Sequence, residues 1–180
     1  GIENINFFLK KGYTVIALSM PLKGINSRPL VKTKNNGEFL LDDHYKLKFF
    51  QPSQGYYLRY FLEPVVVFLN QAIIDSDFES ISMTGISAGG WTTILASAID
   101  NRIQYSFPVA AALPKALRNI NTTSIATRDS FFYSKFNYLD LYILGSSGEG
   151  RSQHQIFNYF DPCCYFGDNR KYYLNAIKNT

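Results

Sequence analysis

The stretch SMTGISAGGW, residues 82–91, restricts the possible folds of this chain more than any other, because glycine, serine and alanine occupy six of its ten positions. The residues before it favour a short strand over 80–85, and those after it favour a helix over 87–100 that is rich in small side chains. So little side-chain volume at a junction has two explanations. Either the strand and the helix pack closely there, or a tight turn holds Ser87 in a conformation that excludes larger neighbours.

Strand and helix patterns alternate along the remainder of the chain. Further strands are predicted at 13–21, 103–114 and 153–160, and further helices at 2–9, 55–75, 138–145 and 168–179. Alternation of this kind predicts an α/β fold, a mostly parallel sheet with helices on both faces, in one domain that spans 1–180. Residues 22–54 are polar and irregular, and they predict an excursion or lid-like loop with a short strand at 38–41.

The composition is that of a folded globular chain, and it argues against several classes of partner. Hydrophobic residues make up 46% of the 180 positions and charged residues 18%, which disfavours disorder. The net charge of +4 is spread along the chain without a run of five basic residues, so nucleic acid is not an expected partner. The sequence has no signal peptide and no apolar run of 18 residues, so no membrane span is predicted. Thirteen tyrosines and 15 phenylalanines predict an aromatic core or an aromatic pocket lining.

The two cysteines, Cys163 and Cys164, are adjacent. Neighbouring cysteines rarely bond to each other, so a reduced pair is expected. Adjacent thiols also give poor chelate geometry and the sequence has no C-x-x-C pattern, so no metal site is predicted from them together with His154 and Asp161.

Residues 85–89, Gly-Ile-Ser-Ala-Gly, match the pattern G-x-S-x-G between a predicted strand and a predicted helix. In this arrangement a strained turn exposes the Ser87 hydroxyl at the carboxyl end of the strand, and Gly85 and Gly89 remove the clashes that larger residues would cause. The N–H of Ala88, at the helix N-terminus, then points at a developing oxyanion. The sequence therefore predicts Ser87 as a nucleophile and Ala88 as an oxyanion donor. The alternative is a glycine-rich packing joint without chemistry.

With these residues the chain resembles the α/β-hydrolase superfamily over most of its length. GYTVIALSMP, 12–21, looks like the fourth strand of that family, SISMTGISAGG, 80–90, like its fifth strand and nucleophile turn, and IQYSFPVAAALP, 103–114, like its sixth. Among the branches, the chain is most similar to esterases related to acetyl xylan esterases and dienelactone hydrolases. The resemblance implies a serine hydrolase that cleaves a carboxylic ester or related acyl bond of a small molecule and uses no metal or organic cofactor.

The resemblance also implies an acid, because the family's triad runs serine, acid, histidine and its acid follows the seventh strand. The predicted strand QHQIFNYF, 153–160, places Asp161 in that position, where it would accept a hydrogen bond from the histidine. The alternative is that Asp161 only caps the turn of DPCC, 161–164. Glu149 is the second choice of acid, and it requires 138–145 to be the seventh strand.

The base is harder to assign, because the family's histidine follows an eighth strand and this chain has only His44 and His154. His44 lies upstream of Ser87 and His154 lies inside a predicted strand, so neither fits the position of the base. The base is expected beyond Thr180, and the second oxyanion donor is expected before Gly1, since the family takes it from the loop after its third strand. The chain is therefore expected to be a hydrolase core without its flanks. The alternative is a non-catalytic binding module on a degenerate hydrolase fold.

Overall fold

The computed structural model describes residues 1–50, 55–114, 117 and 131–178. Its helices and strands are, in chain order, α1 (Ile2–Lys10), β1 (Leu30–Thr33), β2 (Gly37–Leu40), α2 (Arg59–Asp75), β3 (Ser82–Ile86), α3 (Ala88–Ile99), β4 (Tyr105–Val109), α4 (Tyr138–Ser146), β5 (Ser152–Gln153) and α5 (Leu174–Lys178). Short 3-10 helices also occur at His44–Phe49, Phe132–Ser134 and Asn169–Tyr172.

The helices predicted at 2–9, 55–75, 87–100 and 138–145 are confirmed as α1 to α4, and the last predicted helix is divided between a 3-10 helix and α5. Pro64, which could have ended or kinked a helix, lies inside the single helix α2. The start of α4 is defined by a capping box. Asn137 accepts hydrogen bonds from the N–H groups of Leu139 and Asp140, and the Asp140 carboxylate accepts one from the Asn137 N–H.

The central sheet has three parallel strands in the order β3–β4–β5. Ser82 pairs with Tyr105 at one end of the first two strands, and Ile86 pairs with Val109 at the other. An isolated parallel bridge between Val109 and Ile156 continues the pairing beyond β5. The carboxyl ends of the strands therefore meet at one edge of the sheet, where α/β proteins place their binding sites. The structure is mixed α/β, as predicted.

Three helices cover one face of this sheet. α3 packs on β3 and β4, α4 packs beside α3 and on β5, and α2 contacts α3. Ser106 and Pro108 of β4 are buried beneath them. On the opposite face, Ile86 is 69% exposed, and Tyr105 and Ile156 are exposed as well. Within the described part of the chain, the prediction of helices on both faces is therefore confirmed for one face only.

The strand predicted at 13–21 is not formed. Residues 13–20 belong to no helix and pair with no strand among the described residues. Tyr13, Ile16 and Leu18 are exposed, whereas the prediction required burial on both faces. A β-branched apolar run becomes a strand only where a neighbouring strand accepts and donates its backbone hydrogen bonds. The end of the segment is packed, since Thr92 Oγ1 in α3 lies 3.7 Å from the Met20 Sδ.

Residues 30–40 form a β-hairpin in which Leu30 of β1 lies opposite Leu40 of β2. β2 confirms the short strand predicted at 38–41, whereas β1 lies in a stretch that was expected to be irregular. Leu41 and Leu47 are buried in the main core. The later part of the predicted excursion at 22–54 is thus packed on the body of the protein through these two leucines, whereas residues 23–30 are exposed.

Aromatic residues form much of the core. Trp91 of α3 is 1% exposed, and Phe61 of α2 meets it edge to face with 5.2 Å between ring centroids. The indole N–H of Trp91 donates to the Tyr133 hydroxyl at 2.7 Å. The buried indole N–H thus finds a hydrogen-bond partner, which offsets the cost of desolvating it. The aromatic core, one of the two roles expected from the composition, is therefore present.

Candidate active site

Ser87 lies between the end of β3 and the first residue of α3, and its backbone is strained. Its φ of 55° and ψ of −117° fall in a region that residues with a side chain rarely occupy. Two hydrogen bonds hold it there: the Ser87 N–H donates to the Val109 carbonyl at 2.9 Å, and the Ser87 carbonyl accepts from the Trp91 N–H at 2.9 Å. Since Ser87 is exposed, its hydroxyl stands open to solvent at the carboxyl edge of the sheet.

Two glycines, Gly85 and Gly90, make the close approach of β3 and α3 possible. The sequence pattern indicated Gly85 but named Gly89 in place of Gly90. A Cβ on Gly85 would lie 2.5 Å from the Gly89 carbonyl oxygen and 2.9 Å from the Gly90 nitrogen. A Cβ on Gly90 would lie 2.7 Å from both the Ala111 Cβ and the Gly85 carbonyl oxygen. A Cβ on Gly89 would meet nothing within 4 Å. The prediction that Gly89 removes a clash is wrong, because its Cβ position faces open space; Gly90 has that role.

Ala110 is a second strained residue beside Ser87. It follows Val109, the register partner of Ile86, and its φ is 44°. Its N–H donates to the Ile156 carbonyl at 2.8 Å, which joins the ends of β4 and of the extended stretch after β5. Strained backbone of this kind persists where the surrounding structure enforces it, and it concentrates at functional sites. No sequence pattern singled out Ala110, since alanine carries no signal for a positive φ.

Ala88 is the first residue of α3, and Ser87 is its N-cap. The first N–H of α3 with a backbone acceptor belongs to Trp91, so the N–H groups of Ala88, Gly89 and Gly90 have no carbonyl partner among the described residues. These free donors and the positive end of the helix dipole lie next to the Ser87 hydroxyl. The arrangement can stabilise negative charge that develops on an atom bound to Ser87.

His154 lies on the exposed face of the sheet, two strands away from β3. Its ring stacks on Phe107 with 5.3 Å between centroids, and its Nε2 lies 3.1 Å from the Ser152 Oγ. Because neighbouring strands are about 4.8 Å apart, two strand spacings place His154 about 10 Å from the line of β3. The ring of His154 therefore contacts Phe107 and Ser152 and not Ser87.

His44 is a structural residue of the core. Its Nε2–H donates to the Pro21 carbonyl at 2.6 Å, and its ring contacts Phe61 edge to face. Burial lowers the pKa of His44, because the charged imidazolium would lose its hydration. Neither histidine of the sequence forms a hydrogen bond with Ser87.

Asp161 lies on the loop after the Val109–Ile156 bridge, which pairs the strands at the carboxyl edge of the sheet, where β3 ends just before Ser87. Its Oδ1 accepts hydrogen bonds from the N–H groups of Cys164 and Cys163, each at 2.8 Å. These bonds, with a further one from the Tyr165 N–H, hold the pKa of the carboxyl below its usual value. Asp161 therefore caps the turn as an ionised group, and neither histidine contacts it.

The cysteine pair differs from the expectation. Cys163 and Cys164 are joined as a disulfide, because the turn that Asp161 caps brings their sulfurs together. The expectation of a reduced pair is therefore wrong.

Glu149 does not occupy the position of an acid. That alternative required a strand at 138–145, and this segment is α4. Glu149 lies between Gly148 and Gly150, just before β5 begins. Because β5 runs parallel to β3, Glu149 is at the opposite edge of the sheet from Ser87. Glu149 therefore does not supply the acid at the site of Ser87.

We expect the free energy of unfolding of Ser87→Gly to exceed that of Ser87→Ala by about 1 kcal/mol. Glycine adopts a positive φ without the clash that a Cβ causes, so it relieves the strain, whereas alanine keeps it. Urea unfolding followed by tryptophan fluorescence measures the difference. The matched pair is Ser82→Gly and Ser82→Ala on the same strand, where the backbone is ordinary and glycine should be the less stable of the two. If the alanine variant is the more stable one at both positions, the backbone of Ser87 is not strained.

Among the described residues, no group of three or more histidine, cysteine or acidic side chains is arranged to hold a metal ion. No helix in the described ranges has the length and apolar character needed to cross a membrane. No family model, curated protein or solved structure matches the chain.

Proposed function

We propose that Ser87 is the nucleophile of a serine hydrolase that cleaves a carboxylic ester or related acyl bond of a small molecule, on an α/β-hydrolase core. The observation that carries the proposal is the backbone of Ser87: a residue with a side chain is held at φ 55° on a strand-to-helix turn, with its hydroxyl exposed beside free helix N–H groups. A packing joint would need neither the strain nor the exposed hydroxyl, and glycine would serve it better.

In the proposed reaction the Ser87 Oγ attacks the acyl carbon while a base removes the hydroxyl proton. The N–H of Ala88 donates to the oxyanion of the tetrahedral intermediate. Collapse of that intermediate breaks the bond to the alcohol, which leaves with the proton from the base. Water then attacks the acyl-enzyme in the same way and releases the acid.

The base is the part that these residues do not provide, since His44 and His154 are both engaged elsewhere. From the resemblance to the α/β-hydrolase superfamily, we propose that the catalytic histidine follows Thr180. Asp161 is proposed as the acid that orients it, because it is ionised and lies at the sheet edge of Ser87. Asp161 also caps the turn that follows it, and these hydrogen bonds fix the position of its carboxylate without a histidine.

A fluorophosphonate probe tests the nucleophile, because an activated serine oxygen displaces its fluoride and forms a stable bond to phosphorus. Because these residues provide no base, we expect added imidazole to take the hydroxyl proton and to accelerate the labelling of Ser87, located by mass spectrometry, at least about tenfold. The labelling should be lost in Ser87→Ala. Ser82→Ala, which removes an exposed serine of the same strand, should change nothing.

The opposite outcome has a definite meaning. If Ser87 reacts no faster than other exposed serines, both without and with imidazole, it is not a nucleophile. The second candidate function, a non-catalytic binding module on the same fold, would then be preferred. The observation that favours it is the engagement of both histidines away from Ser87.

A further inference from the structure

Tyr165 connects the turn of Asp161 to the end of β4. It directly follows Cys163 and Cys164, whose N–H groups donate to the Asp161 carboxylate. Its hydroxyl donates to the backbone carbonyl of Ala111, two residues after Val109. The side chain is 8% exposed and packs against the ring of Phe157, so it is held on both sides. Tyr165 thus continues the turn that the candidate acid caps, and its side chain anchors that turn to the strand end.

Ala111 in turn supports the nucleophile turn. It is 2% exposed, and its Cβ fills the space that a Cβ on Gly90 would need. Gly90 lies in the first turn of α3, whose N-cap is Ser87. Just before Ala111, Val109 accepts the hydrogen bond from the Ser87 N–H and Ala110 takes its strained conformation. A shift of Ala111 would therefore displace the residues that Gly90 and Ser87 pack on and bond to.

We propose that Tyr165 is a positioning residue of the Ser87 site, which holds the Asp161 turn and the strand end behind Ser87 at a constant separation. The proposal rests on the proposed function of Ser87. It assigns a role that the sequence pattern did not indicate, because Tyr165 belongs to no catalytic motif. Tyr165 contributes no atom to the reaction and acts only through Asp161 and Ala111.

Tyr142 of α4 offers a matched control for this role. Its hydroxyl donates to the carbonyl of the next residue, Ala112, at 2.8 Å, and its side chain is 3% exposed. The two tyrosines therefore make the same kind of buried hydrogen bond to adjacent carbonyls. They differ in their backbones, since Tyr142 lies inside α4 and Tyr165 lies on the turn that Asp161 caps.

The experiment compares Tyr165→Phe with Tyr142→Phe, each made in the 180-residue chain. Each variant loses one hydroxyl, so thermal unfolding should show similar losses of stability. We expect Tyr165→Phe to slow fluorophosphonate labelling of Ser87 about tenfold, in the presence of added imidazole, and Tyr142→Phe to leave the rate within about twofold of the unchanged chain. We also expect the pKa of Asp161, followed by carbon NMR, to rise in Tyr165→Phe alone, because without the hydroxyl anchor the turn no longer holds the N–H groups of Cys163 and Cys164 on the carboxylate.

The two readouts separate this proposal from the proposed function. Absent labelling in the unchanged chain overturns the nucleophile, while the titration of Asp161 still tests whether Tyr165 holds the turn. Equal slowing of labelling in both variants, or an unchanged Asp161 titration in Tyr165→Phe, overturns the positioning role and leaves Tyr165 as a packing residue.

Discussion

Gly85→Ala is expected to lower the free energy of unfolding by about 3 kcal/mol or more, because the added methyl group overlaps backbone atoms on the other side of the turn. The Gly89 carbonyl oxygen would lie 2.5 Å from the new Cβ, and the backbone of α3 cannot turn aside as a side chain can. Relief requires the first turn of α3 to move away from β3, which also displaces Ser87. Urea unfolding, followed by the fluorescence of Trp91, the single tryptophan, measures the loss.

Gly89→Ala is the control, since it adds the same methyl group four residues later in open space. Alanine is also the better helix former by about 1 kcal/mol, so this variant should be as stable as the unchanged chain or more so. In the labelling assay Gly89→Ala should react at Ser87 and Gly85→Ala should not. A Gly85→Ala variant as stable as Gly89→Ala would contradict the close approach of β3 and α3.

Arg151→Met is expected to lower the free energy of unfolding by about 3 kcal/mol, because it removes a charged donor from several carbonyls at once. The guanidinium donates to the carbonyls of Ser97, Ile103, Leu144 and Ser147. These carbonyls lie in the last turn of α3, just before β4 and at the end of α4. One side chain thus satisfies the ends of two helices and complements their negative dipole ends. Thermal or urea unfolding measures the effect.

Arg170→Met is the matched variant. Arg170 forms an exposed ion pair with Asp168, with 3.0 Å between Nε and Oδ1. Exposed pairs contribute little, so its loss should change stability by no more than about 0.5 kcal/mol. If the two methionine variants are equally stable, Arg151 does not join the helices in the way described.

The sequence predicted most helices correctly, because their signals are local. The apolar spacing of α1 and α2, the small residues of α3 and the apolar segment of α4 all lie within the elements that they specify. Strands were predicted less well. The apolar run at 13–21 has the composition of a buried strand, but residues 13–20 have no strand partner among the described residues. Pairing depends on a neighbour distant in the chain, which composition does not report.

At the site, the pattern G-x-S-x-G located the turn of Ser87, because a strand-to-helix turn with an exposed serine needs small residues at defined spacing. The pattern misassigned one clash. Only the packing of α3 against Ala111 shows that Gly90 must lack a side chain and that Gly89 need not. No sequence pattern indicated a role for Ala110 or Tyr165, because their roles depend on residues that are far away in sequence.

The sequence by itself therefore determined most of the helices, the position of Ser87 on a turn between a strand and a helix, and the need for a glycine at Gly85 in this turn. All of these follow from backbone geometry within a few residues. The tertiary structure decided which face of the sheet the helices cover, that both histidines are engaged away from Ser87, and that Tyr165 ties the Asp161 turn to the strand end beside it. Such contacts join residues 23 to 54 positions apart, and they exist only once the core has placed those positions side by side.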